Sequence, residues 1–158
     1  MQRLLVGFLC AIGLAAAAVA ASPNDDINAP IHQFIDSFNK GDEASAVAAH
    51  VDTDLVIIDE VPPFIWQGRD AFKTWSADLG ANDKTLSITD QVVTLGDTTR
   101  VERTADRAYA VVAAVYTYKQ KGVAMRESAQ MTFALRKDHA GWRINGWTWT
   151  GPKPTPAP

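Results

Sequence analysis

Apolar residues recur at three- and four-residue steps through Ile27, Ile31, Phe34, Ile35 and Phe38, one continuous stripe on an amphipathic helix. Asp25, Asp26 and Asn28 offer capping oxygens at its start, Pro30 suits a first turn, and Gly41 is a C-terminal stop. His32 falls off the centre of the stripe and reads as a flank or surface residue. A short alanine-rich helix is expected from Glu43 to His50, cued by Asp42. The β-branched run Asp54-Leu55-Val56-Ile57-Ile58-Asp59 predicts a strand that Pro62-Pro63 terminates, with Phe64-Ile65-Trp66 as a short strand before Gly68. Ala71, Phe72, Trp75 and Leu79 share one side of a third helix from Arg69 to Leu79.

From Leu86 the pattern changes to that of strands: Leu86 to Leu95, a short edge strand from Arg100 to Thr104, and Ala108 to Tyr118. Gly122 marks a hairpin into Val123 to Lys137, and His139-Ala140-Gly141 a turn into Trp142 to Thr150. Three helices around one strand, followed by an antiparallel meander, predict an α+β domain: a cone-shaped roll of helices packed on a curved, mainly antiparallel sheet.

The first residues alter the domain bounds. Met-Gln-Arg, an apolar run from Leu4 to Leu14 and an alanine-rich stretch to Ala21 predict a signal peptide over residues 1–21, cleaved after Ala20 or Ala21. The expectation is an exported domain over residues 22–150, periplasmic or secreted, with no membrane association once the signal is removed. Cys10 leaves with that segment, so the mature chain has no internal disulfide and depends on its packed core. Without Arg3, 14 basic residues face 18 acidic ones, a net charge of −4, and no basic stripe for nucleic acid appears. Residues 151–158, rich in proline, are expected to form a disordered tail.

Two carboxylates are candidates for chemistry. Asp59 shares a strand face with Leu55 and Ile57. Held at the wall of an apolar pocket it would have the raised pKa of a general base; the alternative is a turn residue before the proline pair. On the strand from Val123, Met125, Glu127, Ala129, Met131, Phe133 and Leu135 alternate onto one face, with Glu127 the polar exception. It must be paired, protonated or beside a wet cavity, unless it lies near enough to the strand end to reach water. Trp147 and Trp149 share one parity and Trp142 and Ile144 the other, so one pair is expected to face away and suit a homodimer interface on the outer sheet face; a bulge at Gly146 would change which pair that is. No cofactor is expected. The mature chain has no Cys, and His32, His50 and His139 lack ligand spacing, so no metal site is expected either.

Four segments together resemble the nuclear transport factor 2-like superfamily, in its SnoaL-like and ketosteroid isomerase-like branches, over Ala29 to Thr150. They are Phe38-Asn39-Lys40-Gly41-Asp42, Asp54-Leu55-Val56-Ile57-Ile58-Asp59, Gly68-Arg69-Asp70-Ala71 and Gly141-Trp142-Arg143-Ile144. The resemblance implies a pocket for a small, largely apolar molecule, here lined by Phe34, Phe38, Trp66, Tyr116, Met131 and Phe133, and it implies dimerisation through the outer sheet face. It places Asp59, five residues after Asp54, at the general-base position of the isomerases. It places Phe34 and Met131 where those enzymes carry their oxyanion donors, and neither side chain can donate a hydrogen bond. A donor would have to come from Tyr109, Tyr116 or Tyr118. The implied functions are therefore a binding protein, or an isomerase-, dehydratase- or cyclase-type enzyme using Asp59 with help from Glu127; a homodimeric interaction module is the third alternative.

Overall fold

The computed structural model describes residues 24–158, so the expected signal peptide lies outside the described residues. Helix α1 spans Asp25–Lys40 and is closed by Gly41 at φ 68°, whose N–H bonds to the Phe38 carbonyl. Only glycine takes this left-handed turn without strain. Helix α2, Glu43–Ala48, begins where the Asp42 side chain accepts from the Ser45 N–H at 3.1 Å. Strands β1 (Val56–Ile58) and β2 (Ile65–Gln67) form a small antiparallel pair.

Helix α3 runs Ala71–Leu86, seven residues beyond the predicted end at Leu79. The apolar side continues through Leu86 at helical spacing, and Gly80 inside a helix costs only about 1 kcal/mol. The two segments predicted at Leu86–Leu95 and Arg100–Thr104 are one strand, β3, Ile88–Arg103. Its register slips between Thr89 and Val92, between Leu95 and Thr98, and again before Arg100. Those bulges bend the strand, and they make Gly96-Asp97-Thr98-Thr99 read as a loop.

Strands β4 (Arg107–Gln120), β5 (Val123–Asp138) and β6 (Gly141–Thr150) complete the meander, giving the order β2-β1-β6-β5-β4-β3 with β1 parallel to β6. Helix α1 touches β3 and β6. It buries Ile27, Ile31, Phe34 and Ile35 in one core with Ala110, Val112, Phe133, Leu135 and Ile144 from the sheet. The Asn39 side chain fastens α1 to β3, donating to the Val93 carbonyl at 2.8 Å and accepting from its N–H at 2.9 Å. No helix among the described residues is long and apolar enough to cross a membrane.

Two departures from the sequence reading shape the site. In β6, Ala134 pairs with Gly146 but Leu135 with Ile144, leaving Asn145 as an extra residue. The bulge shifts the alternation by one, so Trp142, Ile144, Trp147 and Trp149 all turn inward and no tryptophan pair faces outward. Gly146 is needed there, because a Cβ would lie 2.9 Å from the Val56 carbonyl oxygen of β1. The tail does not match the expected disordered segment either. It returns to β5, where β7 (Thr155–Pro156) pairs with Arg126 and Met125 and the Ala157 N–H bonds to the Ala124 carbonyl at 2.9 Å.

Candidate functional site

A cavity of about 290 Å³ opens between the helices and the concave side of the sheet. Its apolar wall comes from Phe34, Ile35 and Phe38 of α1, Trp75, Leu79 and Leu86 of α3, and Met131, Trp147 and Trp149 of the sheet. Each is on the inward side of its element, so the hydrophobic periodicity that builds the core also lines the cavity. Two of the pocket residues expected from sequence lie elsewhere. Phe133 is fully buried in the core beneath the cavity floor, and Trp66 packs against α3, where its indole N–H donates to Asp78 at 2.8 Å.

Asp59 lies on the cavity wall. Strand β1 ends at Ile58, and the loop back to β2 returns the Asp59 N–H to the Phe64 carbonyl. Its carboxylate is fixed at both oxygens: Trp75 Nε1 donates to Oδ2 at 2.7 Å, and the Glu60 backbone N–H donates to Oδ1 at 2.7 Å. Burial raises its pKa above the ordinary carboxylate value, while these two hydrogen bonds pull in the other direction.

Glu127 is 1% exposed, so it does not reach water at a strand end. Trp149 Nε1 donates to its Oε1 at 2.8 Å, and Oε2 is buried with no N–H or hydroxyl donor. It is not part of the cavity wall; Glu60, which touches it, is. The two carboxyl groups are electrostatic neighbours. Burial first, then the charges of Glu127 and Asp59, push Glu60 up to about 7. Burial also raises Glu127, against the hydrogen bond from Trp149. Strict strand alternation would have sent Glu60 away from Asp59. The strand stops one residue earlier, so both carboxyl groups face the same space.

Tyr116 and Tyr118 of β4 also line the cavity, their rings tilted by 31° with centroids 4.7 Å apart. The Tyr116 hydroxyl donates to Gln91 Oε1, and Gln91 Nε2 donates to Asp83 Oδ2 at 2.7 Å, a relay joining β4, β3 and α3. Burial and the surrounding carboxylates raise the pKa of both tyrosines, that of Tyr116 strongly, so both are neutral. Of the sequence-predicted residues, the fold thus gathers Asp59, Phe34, Phe38, Tyr116 and Met131 around one cavity. Sequence reasoning missed Glu60, Trp75, Asp83 and Gln91, named Tyr118 only as a possible donor, and left the facing of Trp149 open. The i, i+4 step from Trp75 to Leu79, continued to Asp83, was a usable signal for the α3 wall, had the helix been carried past Gly80.

Behind Phe34 lies His50, 2% exposed, with its ring centroid 4.8 Å from that of Phe34. Its Nδ1 bonds to the Ala46 carbonyl at 2.8 Å, and Nε2 has no partner. Burial drives its pKa down to about 4, so it is a neutral core residue. Among the described residues no group of three His, Cys, Asp or Glu side chains is arranged to hold a metal ion.

The SnoaL-like domain model matches residues 27–148. A ketosteroid isomerase-like protein from Erwinia carotovora atroseptica superposes with a TM-score of 0.63 at 23% identity, over 81% of this chain and 95% of that one. A nuclear transport factor 2-like superfamily protein from Salmonella enterica serovar Typhimurium gives 0.67 at 15% identity, over 82% and 91%. A type 2 hexachlorocyclohexane dehydrochlorinase gives 0.66 at 14% identity, over 84% and 89%. No curated protein sequence matches the chain. At these identities the structural likeness carries the fold and no activity. The family match spans helix α1 through β6, the elements that build the cavity. The chain therefore belongs to the SnoaL-like domain family, and it shares its fold with the ketosteroid isomerase-like and nuclear transport factor 2-like structures above.

Proposed function

We propose that the protein takes a small, largely apolar molecule into its cavity and that Asp59 acts on it as a general base. One observation carries this reading: a carboxylate fixed at both oxygens on the wall of an otherwise largely apolar cavity, with its pKa raised by burial. Asp59 would take a proton from a carbon acid, and the electron pair left on carbon would move into the substrate. Phe34 and Met131 have no donor to offer the developing negative charge, and Tyr116 would serve it by turning its one O–H away from Gln91 Oε1.

The test uses 5-nitrobenzisoxazole, a small aromatic carbon acid whose ring opening needs only a base. Wild type should open it faster than buffer, and Asp59→Asn should lose that rate by about 10²-fold or more, the usual worth of a positioned base. Equal rates in the two proteins would sink the proposal. The hydrocarbon groups at the two oxyanion positions favour a second reading, a binding domain without turnover. Binding without any Asp59-dependent rate would establish it.

Two further parts of the proposal rest on separate grounds. Export, with cleavage after Ala20 or Ala21, rests on the N-terminal segment alone and is checked by sequencing the mature N-terminus. Pairing of two copies through the outer sheet face rests on Tyr109, Val111, Ala113 and Val115, which are half-exposed or exposed on the outer side of β4. Sedimentation of the mature protein at micromolar concentration checks it.

A further inference from the structure

The carboxyl groups of the cavity wall have no cationic counterpart. Asp59, Glu60 and Asp83 line it, and among the described residues no Lys, Arg or His does. Lys119, next to Tyr118, points away and is paired with Asp90 at 2.8 Å. The acidic groups come from different elements: Asp59 and Glu60 from the β1–β2 loop, and Asp83 from α3. Behind Glu60, Glu127 on β5 is 1% exposed and its Oε2 lacks a donor; Asp83 Oδ1 is buried without one too. Of these two oxygens only Asp83 Oδ1 belongs to a residue of the cavity wall, and a buried acceptor without a donor is costly unless a partner arrives.

The rest of the wall is suited to the same kind of partner. Trp75, Trp149, Tyr116 and Tyr118 line the cavity too. Tyr116 meets Tyr118 at a tilt of 31° and Trp149 edge-on, with centroids 4.7 and 6.0 Å away. Aromatic faces with adjacent carboxylates attract an organic cation, the more strongly when water is excluded. The carboxylates are spread around the wall and do not converge as metal ligands would. Phe34, Phe38, Leu79 and Met131 add apolar surface to the same wall.

We infer that the natural ligand of this cavity is a small amphipathic amine, its ammonium group held among Asp59, Glu60 and Asp83 and its hydrocarbon body against α1 and Met131. The inference rests on the proposal that the cavity binds a small molecule and adds its charge. The protein's own electrostatics agree: burial holds Asp59, Glu60 and Asp83 above their ordinary pKa, and among the described residues no cationic side chain on the wall relieves them.

The experiment is calorimetric titration of the mature chain at pH 7.5 with three probes sharing one body: 2-phenylethylammonium, 2-phenylethanol and phenylacetate. The ammonium should bind at least tenfold more tightly than the alcohol, with phenylacetate weakest. In Glu60→Gln and in Asp83→Asn, each checked for an intact melting transition, the preference should fall by at least threefold while alcohol binding is retained. Alcohol binding as tight as ammonium binding overturns the inference and leaves the cavity proposal standing. A preference that survives both substitutions also overturns it. Binding of none of the three overturns the inference and the cavity proposal together.

Discussion

The indole N–H of Trp149 on β6 donates to the buried carboxylate of Glu127 on β5 across a gap of 2.8 Å. It is the only N–H or hydroxyl donor that carboxylate has among the described residues. Trp149→Phe keeps most of the ring and removes the donor. The variant should lose about 1–3 kcal/mol of stability, the cost of an unsatisfied buried acceptor. It should also raise the Glu127 pKa further, since a bond that favours the charged form is gone. Urea denaturation and carbon-detected titration of the Glu side chains would check the two effects; an unchanged Glu127 titration contradicts the pairing.

Glu60 gives the fold a pH dependence of known sign. Its folded-state pKa is raised from 4.5 to about 7, so its contribution is fully present below pH 4.5 and is lost as pH rises through about 7. Glu60→Gln does not titrate. The variant should therefore gain on wild type steadily between pH 4.5 and about 7.5 and hold a constant margin above. Parallel stability curves across that range would show that Glu60 is not perturbed.

His50 works in the opposite direction. Its folded-state pKa lies near 4 against 6.5 in the unfolded chain, so wild type has full stability above pH 6.5 and loses it as pH falls towards 4. The loss should approach about 3 kcal/mol, from a shift of this size. His50→Leu, matched in bulk, should lack this slope, measured by thermal unfolding between pH 7 and pH 4.

Gly151 stands where β6 leaves β5 and the tail crosses Glu127. A Cβ at this position would collide with Glu127 Oε1 and lie 2.9 Å from the Ala129 Cβ. Gly151→Ala should displace either the tail or the carboxylate, at a cost of about 1–3 kcal/mol typical of overpacking. Amide exchange at Ala157, whose N–H bonds to Ala124, should quicken at the same time. A variant with wild-type stability and exchange would mean that the tail does not press on Glu127.

The fold was legible where periodicity is strict. The stripe through Ile27, Phe34 and Phe38 and the alternation from Met125 to Leu135 each gave an element its type and its buried side. Irregular backbone was not legible. Bulges in β3 made one strand look like two, and a single extra residue at Asn145 reversed the facing of two tryptophans. The site follows the same division. Asp59 was reachable because strand alternation holds up to it, whereas Glu60 sits just past the strand end, where no period applies. Phe133 and Trp66 have the composition of pocket residues, but whether an inward aromatic meets a cavity or a packed neighbour depends on depth, which alternation does not encode.

The extra residue in β6 also has a photophysical consequence. Because of it, every indole of the chain is interior: Trp66, Trp75, Trp142 and Trp147 are at most 7% exposed, and Trp149 is partly buried beside Glu127. Three of the five line the cavity. The native emission is thus set mainly by the interior, and a molecule entering the cavity changes the surroundings of most of the emitters, so the chain reports on its own contents with no attached dye.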